Sequence, residues 1–426
     1  MKSTHLPFVF LLMISLSAFG QDLDYTKKLV KKLSSSKFYG RGYVKNGDQK
    51  AAYFLSKEMK KAGLEPYFHD YLQPYEFAVN TFPGKMKLRA DNNTLTAGKD
   101  YVVNASMSSI SKSFDLLFLP DTITKTQSVY SFYDTISGPS STLLVVPQGL
   151  KNAWRSGIPG VKAMAQTDSG PMWWYVGRKQ MPEGIVSLKI KTHQLPPQTK
   201  KLHLDIEARF NETHRARNVA GFVRGNVVPD SLIVFVAHYD HLGGMGRKTF
   251  FPGASDNASG TAVVIDLARF YAKHPEKAHY TLAFVLVSGE EAGLLGSRHF
   301  AENPPFDLDK VLFLFNFDMV GTGSTGITMV NAIQFPEAYQ LISNLNQTQN
   351  YFTQVVKKGE SCNSDHCPFY EKGVPAVFIH TNGDENRKYH VTDDEAEHLP
   401  FTKHQEFFSL MTDFVRELPK VSSFKK

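Results

Sequence analysis

Four apolar segments in the second half of the chain limit its possible folds more than any other feature. Each is almost continuous in Val, Leu, Ile and Phe, and they are LIVFVA (232–237), TLAFVLV (281–287), VLFLFNF (311–317) and VPAVFI (374–379). Strands that are apolar on both faces are typical of parallel sheets covered by helices. Amphipathic segments such as GTAVVIDLARFYAK separate them. We therefore predict an α/β fold of three layers, with a mostly parallel central sheet flanked by helices.

The first half of the chain changes character twice. Residues 22–64 have helical periodicity, and Gly63 provides a stop signal. Short alternating segments separated by Pro, Gly and Ser follow from about 111 to 205, which predicts a small β-rich insert without a set of chemically active side chains. We therefore divide the chain into a leader (1–20), the first part of the main domain (21–110), the insert (111–205) and the remainder of the main domain (206–426).

The leader and the charge bear on the compartment and the partners. MKSTHLPFVFLLMISLSAFG has one Lys, an apolar stretch and small residues at its end, which predicts a cleaved signal peptide and export to the periplasm or out of the cell. An uncleaved anchor is the alternative. No later segment is long and apolar enough for a membrane span. The net charge is +7, but the basic pairs are scattered among acids, so no nucleic-acid partner is predicted.

The chain has two cysteines, Cys362 and Cys367, five positions apart in ESCNSDHCPFY. In an exported protein an even number of cysteines allows a disulfide. A bridge is slightly favoured, with two free thiols as the alternative.

Acids and imidazoles follow the apolar segments. The residues concerned are His238 and Asp240 after the first segment, Asp256 in the following loop, Glu290 and Glu291 after the second, Asp318 after the third, and His390 after the fourth. Parallel strands end at the same edge of a sheet, where α/β proteins bind ligands. Isolated acids or imidazoles are usually structural, but a convergent set indicates a functional site.

Buried carboxylates that repel one another are costly unless a cation compensates them. Imidazole nitrogens and carboxylate oxygens suit zinc. Five ligand candidates with a surplus carboxylate fit two metals better than one, and Asp256 could bridge the two ions. Asp240 is placed to accept the second imidazole N–H of His238 and to orient that ligand.

The motifs HYDHLG, GASDNASG, SGEEAGLLGS, FDMVG and YHVTDD, in this order, resemble those of the M28 family of di-zinc exopeptidases, in its bacterial aminopeptidase branch. YGRGYVKNGDQKAAYFLSKEMKKAGLEP is similar to the N-terminal region of bacterial members. The insert lies where some members have a protease-associated domain, although that likeness is faint. The resemblance implies an exported aminopeptidase that contains two Zn²⁺ ions and acts on peptides with a free N-terminus.

The resemblance also implies roles for individual residues. His238 and Asp318 would hold one zinc, Glu291 and His390 the other, with Asp256 bridging. Glu290 would be the general base that takes a proton from the metal-bound water and passes it to the leaving amine. Some family members have a Tyr before the SDH motif that stabilises the intermediate, but this chain has GESCNSDHC. That role is left to a zinc, to His366 or to another residue.

Three alternatives remain at this point. A glutaminyl cyclase has a related fold and uses one zinc, but SDNASG and HLGG are more typical of peptidases. A family carboxypeptidase is disfavoured because no distinctive Arg cluster is present. A metal-free binding module would be favoured by the loss of a ligand, and all five are present. The loop MGRKTFFPG, with Phe250 and Phe251, is a candidate specificity pocket, although both side chains could equally be core.

Overall fold

The structure is a computed structural model that describes residues 22–420, except 121, 124, 126, 130, 133–140, 151 and 152. The predicted signal peptide at 1–20 lies outside the described residues. Within the described part of the chain, no helix combines the length and the hydropathy that crossing a membrane requires.

The strands alternate with helices after residue 206, as the sequence predicts. In chain order the strands are β1 (Glu65–Pro66), β2 (Leu72–Thr81), β3 (Met86–Ala90), β4 (Asn93–Leu95), β5 (Tyr101–Val103), β6 (Ile110–Phe118), β7 (Thr142–Val146), β8 (Ala163–Asp168), β9 (Val186–Lys191), β10 (Lys201–Ile206), β11 (Arg209–Val223), β12 (Val228–His238), β13 (Gly244–Met245), β14 (Thr249–Phe250), β15 (Tyr280–Val287), β16 (Val311–Phe317), β17 (Gly326–Val330), β18 (Val355–Lys357) and β19 (Ala376–Asn382). The α-helices are α1 (Leu23–Leu33), α2 (Gly47–Ala62), α3 (Ala153–Ser156), α4 (Gly260–Lys273), α5 (Leu295–Glu302), α6 (Pro336–Gln349), α7 (His366–Glu371) and α8 (His404–Glu417).

A nine-stranded sheet forms the centre of the main domain, in the order β1-β11-β15-β12-β16-β19-β17-β18, with β2 paired to β11. The four apolar segments are β12, β15, β16 and β19, and these strands are mutually parallel. On either side, β11 and β17 join this group in antiparallel pairs. The parallel strands were predictable because both of their faces are covered, whereas flanking strands such as β2 are exposed at several positions.

Helices cover both faces of the parallel strands. Along β12, Ile233 and Phe235 pack into a core with α1, α2, α4 and α8, whereas Val234 and Val236 point to the opposite core. The second core is closed by Phe300 of α5 and by α7. The alternation follows from the two-residue repeat of a strand, and it gives the three layers that the sequence predicts.

The β-rich insert forms a separate eight-stranded sheet, in the order β4-β3-β10-β6-β7-β8-β9-β5. The sheet begins at β3, before the expected start of the insert at residue 111, and ends at Ile206. The strands β3 to β5 have three to five residues each and are separated by polar turns, so their alternation is too short to stand out in the sequence.

The two sheets pack against each other through residues of the segment that follows β12. Phe251 is fully buried, and its ring stacks on Trp174 with centroids 5.2 Å apart. Leu242 and Met245 belong to the same core. Phe251 is therefore a core residue and not part of a specificity pocket.

A disulfide joins Cys362, which precedes α7, to Cys367, which lies in its first turn.

Candidate metal centre

The carboxyl ends of the parallel strands bring the predicted residues together. His238 is the last residue of β12, Glu290 and Glu291 follow β15, and Asp318 follows β16 directly. β15 and β16 are the two neighbours of β12 in the sheet, so the three strands end side by side.

Asp256 comes from the loop that leads into α4. The backbone N–H groups of Ser255 and Asp256 donate to the buried carboxylate of Asp394, with the Asp256 bond 3.1 Å long. Gly253 turns the loop at φ 61°, where a β-carbon would lie 2.5 Å from the His241 ring. The glycine thus allows the loop to approach the imidazole closely.

The two carboxylate oxygens of Asp256 face two different imidazoles. Oδ1 lies 3.4 Å from His238 Nε2, and the same nitrogen is 3.4 Å from Asp318 Oδ1. Oδ2 lies 3.1 Å from His390 Nε2, which is also 3.1 Å from Glu291 Oε2. Asp256 is therefore shared by two groups of donors, each with one imidazole and one further carboxylate.

Charge governs the protonation of these buried groups. Burial lowers the pKa of His238, but the carboxylates of Asp318, Glu290 and Asp256 outweigh it and raise the pKa well above its usual value. Burial also lowers the pKa of His390, but the carboxylates of Glu291 and Asp256 outweigh it and raise the pKa well above its usual value. Burial would raise the pKa of Glu291, yet the imidazoles of His390 and His241 hold it well below the usual range. The imidazoles thus supply part of the positive charge that compensates these carboxylates.

Glu290 has a different environment from its neighbour Glu291. Burial raises the pKa of the Glu290 carboxyl well above its usual value, and the charges of Glu291, Asp365 and Asp318 raise it further. Its backbone N–H donates to Asp240 Oδ1 over 3.3 Å, and that of Glu291 donates to Asp240 Oδ2 over 3.3 Å. One carboxylate therefore fixes the turn that carries both glutamates, while their side chains face different partners.

Asp240 also contacts His238, through its main chain. The backbone carbonyl of Asp240 is 3.2 Å from His238 Nδ1, whereas its carboxylate Oδ1 is 3.8 Å away. The Tyr43 hydroxyl donates to the carboxylate of Asp240. Burial raises the pKa of Asp240 to about 6. Asp240 thus supports the site from behind: its carbonyl reaches the imidazole and its carboxylate holds the glutamate turn.

The ring of His366 is hydrogen-bonded to the main chain and not to a carboxylate of the cluster. It is fully buried, and its Nε2 lies 2.8 Å from the backbone carbonyl of Ser361. Burial lowers its pKa to about 4, so the ring is neutral at pH 7. Nearby, Ser364 Oγ donates to Asp318 Oδ2 over 2.9 Å and steadies that carboxylate.

Residues 218–415 match the model of peptidase family M28, and this range contains all seven of the predicted site residues. The chain carries a peptidase family M28 domain.

The chain is similar to aminopeptidase YwaD of Bacillus subtilis (strain 168), 29% identical over 244 residues, or 55% of this chain and 51% of the relative. A probable leucine aminopeptidase of Trichophyton verrucosum (strain HKI 0517) is 30% identical over 49% of this chain and 58% of its own. The chain thus spans about half the length of the curated relatives it matches. Among solved structures, BSAP, a zinc aminopeptidase from Bacillus subtilis, superposes with a TM-score of 0.70 at 19% identity, over 94% of this chain and 97% of its own.

The M28 domain contains one imidazole at the site to which the sequence reasoning assigned no role. His241 is fully buried, its Nδ1 is 2.7 Å from Glu291 Oε1, and it lies 3.8 Å from Asp256 Oδ2. His241, Asp256 and Glu291 form one group with metal-binding geometry, and His238, Asp256 and Asp318 form another. The available signal was the second His of HYDHLG, three positions after His238.

The insert also contributes to the M28 domain's site, through its main chain. The backbone carbonyl of Trp174 is 2.9 Å from His390 Nδ1, and the Trp174 N–H donates to the His390 carbonyl over 2.9 Å. The Tyr389 ring stacks on the His390 ring, with centroids 3.8 Å apart. Between these contacts His390 has φ 54°, a left-handed conformation that is uncommon for residues other than glycine.

Proposed function

We propose that the chain is an exported aminopeptidase that depends on two zinc ions and removes N-terminal residues from peptides. The observation that carries this proposal is the shared carboxylate of Asp256, whose two oxygens face the imidazoles of His238 and His390 at 3.4 and 3.1 Å. A single carboxylate shared by two imidazole–carboxylate groups fits a pair of neighbouring metal ions.

The donor set fits zinc. Two imidazoles and three carboxylates converge at a largely buried position, and imidazole nitrogen with carboxylate oxygen is a usual zinc environment. His238 and Asp318 would hold one ion, Glu291 and His390 the other, and Asp256 both. Zinc, when bound, acts as a Lewis acid that polarises the scissile carbonyl and makes the attacking water more acidic.

The other side chains have supporting roles. The backbone carbonyl of Trp174 accepts the Nδ1–H of His390, which leaves Nε2 free to bind a metal ion. The Asp240 carbonyl does the same for His238. His241 donates from Nδ1 to Glu291 Oε1 and fixes the orientation of that carboxylate, which makes it a positioning residue.

Glu290 is the residue proposed to move the proton. Its carboxylate would accept a proton from the attacking water and deliver it to the nitrogen of the leaving amine. A raised pKa suits a carboxyl that must hold a proton between these two steps, and burial together with Glu291 provides it.

The relatives support the reaction type, because their names specify aminopeptidases, and the structural neighbour is a zinc aminopeptidase. The leader sequence supports export.

A peptide panel with free, acetylated and Gln N-termini, analysed by mass spectrometry with and without chelator, tests the proposal. We expect stepwise loss of N-terminal residues that acetylation and chelator both block. Cleavage of acetylated peptides, or activity that survives complete zinc removal, would contradict the proposal. Loss of ammonia from the Gln peptides alone would identify a cyclase instead.

A further inference from the structure

A cleft of about 790 Å³ lies beside the candidate metal centre, between the insert and the loop that carries His390. Four basic side chains line it, and we call it the basic cleft: Lys99, Lys191, Arg387 and Lys388. The rings of Trp173 and Tyr389 contribute apolar surface to the same cleft. Asp393 is the acidic side chain among its lining residues.

The positive charge of the basic cleft is largely uncompensated. Arg387 forms an ion pair with Asp384. Lys191 Nζ donates to the backbone carbonyl of Gly170 over 2.6 Å, a contact that fixes the ammonium without neutralising it. For the ammonium groups of Lys99, Lys191 and Lys388, the described residues include no carboxylate within the 4.0 Å of an ion pair. Such a cleft attracts anions.

The basic cleft begins where the candidate metal centre ends. Tyr389 lines the cleft and stacks on His390, while Trp173 precedes the residue whose carbonyl contacts His390. A β-carbon at Gly98 would lie 2.7 Å from Thr392 Cγ2, so the backbone next to Lys99 packs against the loop that carries His390. Lys388 is two positions from His390, and an extended chain spans at most about 3.5 Å per residue. The Cα atoms of Lys388 and His390 are therefore at most about 7 Å apart, which places the basic cleft next to a substrate held at the metal centre.

We propose that the basic cleft binds a carboxylate of the leaving part of the substrate, so that short peptides with a free C-terminus are preferred. This inference rests on the proposed aminopeptidase function. The anion that every short unmodified peptide carries is its C-terminal carboxylate. The rings of Trp173 and Tyr389 offer apolar surface to the side chains that precede it.

The test compares kcat/KM for Leu-Gly-Gly and for the same peptide with a C-terminal amide. The two substrates share the scissile bond and differ in one charge. One exposed ion pair changes binding by up to about fivefold, so two lysines predict a preference of about tenfold for the free acid at low salt. The ratio should fall towards one in K99A/K388A and in high salt. K57A, which removes an exposed lysine of α2 outside the cleft, should keep the wild-type ratio.

The possible outcomes separate the two proposals. Equal cleavage of both peptides by the wild-type protein would overturn carboxylate binding and leave the aminopeptidase intact. A tenfold preference that survives in folded K99A/K388A, with an unchanged melting temperature, would also overturn the role of the cleft. Cleavage of neither peptide, nor of any peptide with a free N-terminus in the panel described above, by the zinc-loaded protein would overturn the aminopeptidase and this inference together.

Discussion

The two sheets of this protein differ in how their buried charges are balanced. In the insert, Lys189 is buried with 2% of its side chain exposed, and its Nζ lies 3.4 Å from Asp168 and over the rings of Trp154 and Trp173. This buried ammonium has one carboxylate partner, so the pair carries no net charge. At the edge of the central sheet, the carboxylates are in excess. They are Asp240, Asp256, Glu290, Glu291, Asp318, Asp365 and Asp394.

The cations near this edge are fewer. Arg41 is fully buried, and although burial lowers its pKa to about 10, it stays charged at pH 7. Its guanidinium donates to backbone carbonyls, including those of Tyr239 and Pro252, so it braces the loops. Among the residues that the structure describes, the imidazoles of His238, His241 and His390 are the other basic groups in contact with these carboxylates. The difference is that the insert pairs its buried charge internally, whereas the excess of carboxylates at the edge of the central sheet favours the binding of a cation.

Removal of the carboxyl of Glu290 should have the largest effect on turnover. Glu290→Ala takes away the proposed proton carrier but none of the proposed ligands, so kcat should fall by about 10³-fold while bound zinc stays at the wild-type amount. Steady-state kinetics and elemental analysis measure both quantities. Glu302→Ala, at the exposed end of α5, serves as the control. Undiminished kcat in Glu290→Ala would refute the mechanism.

Asp256→Asn tests whether one carboxylate serves two ions. An amide cannot supply two anionic oxygens, so zinc per chain should fall below one and kcat/KM should drop on the order of 10³-fold. Asp309→Asn, on an exposed turn, should retain both properties. If Asp256→Asn still held two zinc ions, the shared-carboxylate geometry would not be what binds them.

His241 should have an intermediate effect, because it acts through Glu291. His241→Ala should weaken zinc binding by about 10- to 100-fold in a competition assay with a chelating dye, and His241→Asn, which keeps an N–H donor, should weaken it less. His193→Ala, an exposed His of the insert, provides the matched control. Equal zinc affinity in wild type and His241→Ala would exclude the positioning role.

The pH dependence of zinc binding follows from the raised pKa values of His238 and His390. In the metal-free chain, protonated imidazoles stabilise the fold at low pH, and this contribution is lost as pH rises through their raised pKa. Burial raises the pKa of the carboxyls of Asp240, Asp365 and Asp394 to about 6, 7 and 6. Their contribution to the stability of the fold is likewise present at low pH and is lost as pH rises through these values.

Zinc must displace the imidazole protons. Below the raised pKa of the imidazoles, its apparent affinity should therefore fall by about tenfold for each unit by which pH is lowered, for each proton released. The increase in melting temperature on adding zinc should accordingly be greater at pH 8 than at pH 5.5. An increment that is the same at both values would mean that no protonated group competes with the metal.

The smallest effect on activity is expected from Asp168→Ala in the insert. It leaves Lys189 buried without its carboxylate and should lower the free energy of unfolding by about 2 kcal/mol, since Asp168 is itself partly exposed. Zinc content and kcat should be unchanged. Thermal denaturation with parallel zinc analysis measures both, and a loss of zinc would show that the two sheets do not separate these tasks.

The sequence predicted the parts of the fold that depend on residue type. Continuous apolar segments marked the four parallel strands, and the acids and imidazoles behind them marked the edge where they meet. The early start of the second sheet was missed because β3 to β5 are short. The Trp174 contact with His390 was not predictable, because a backbone carbonyl leaves no trace in the identity of the residue. His241 was visible in HYDHLG, but only the folded loop brings its Nδ1 to Glu291.

The hydrogen bond from His390 to the Trp174 carbonyl has a consequence for how this architecture can be modified. The insert supplies the acceptor for the imidazole and buries Phe251, so it cannot be excised or exchanged as an independent module. A chain trimmed of residues 86–206 would expose apolar surface and lose the acceptor at the same time. Position 174 is therefore constrained twice, because its backbone carbonyl accepts from His390 and its buried ring packs on Phe251.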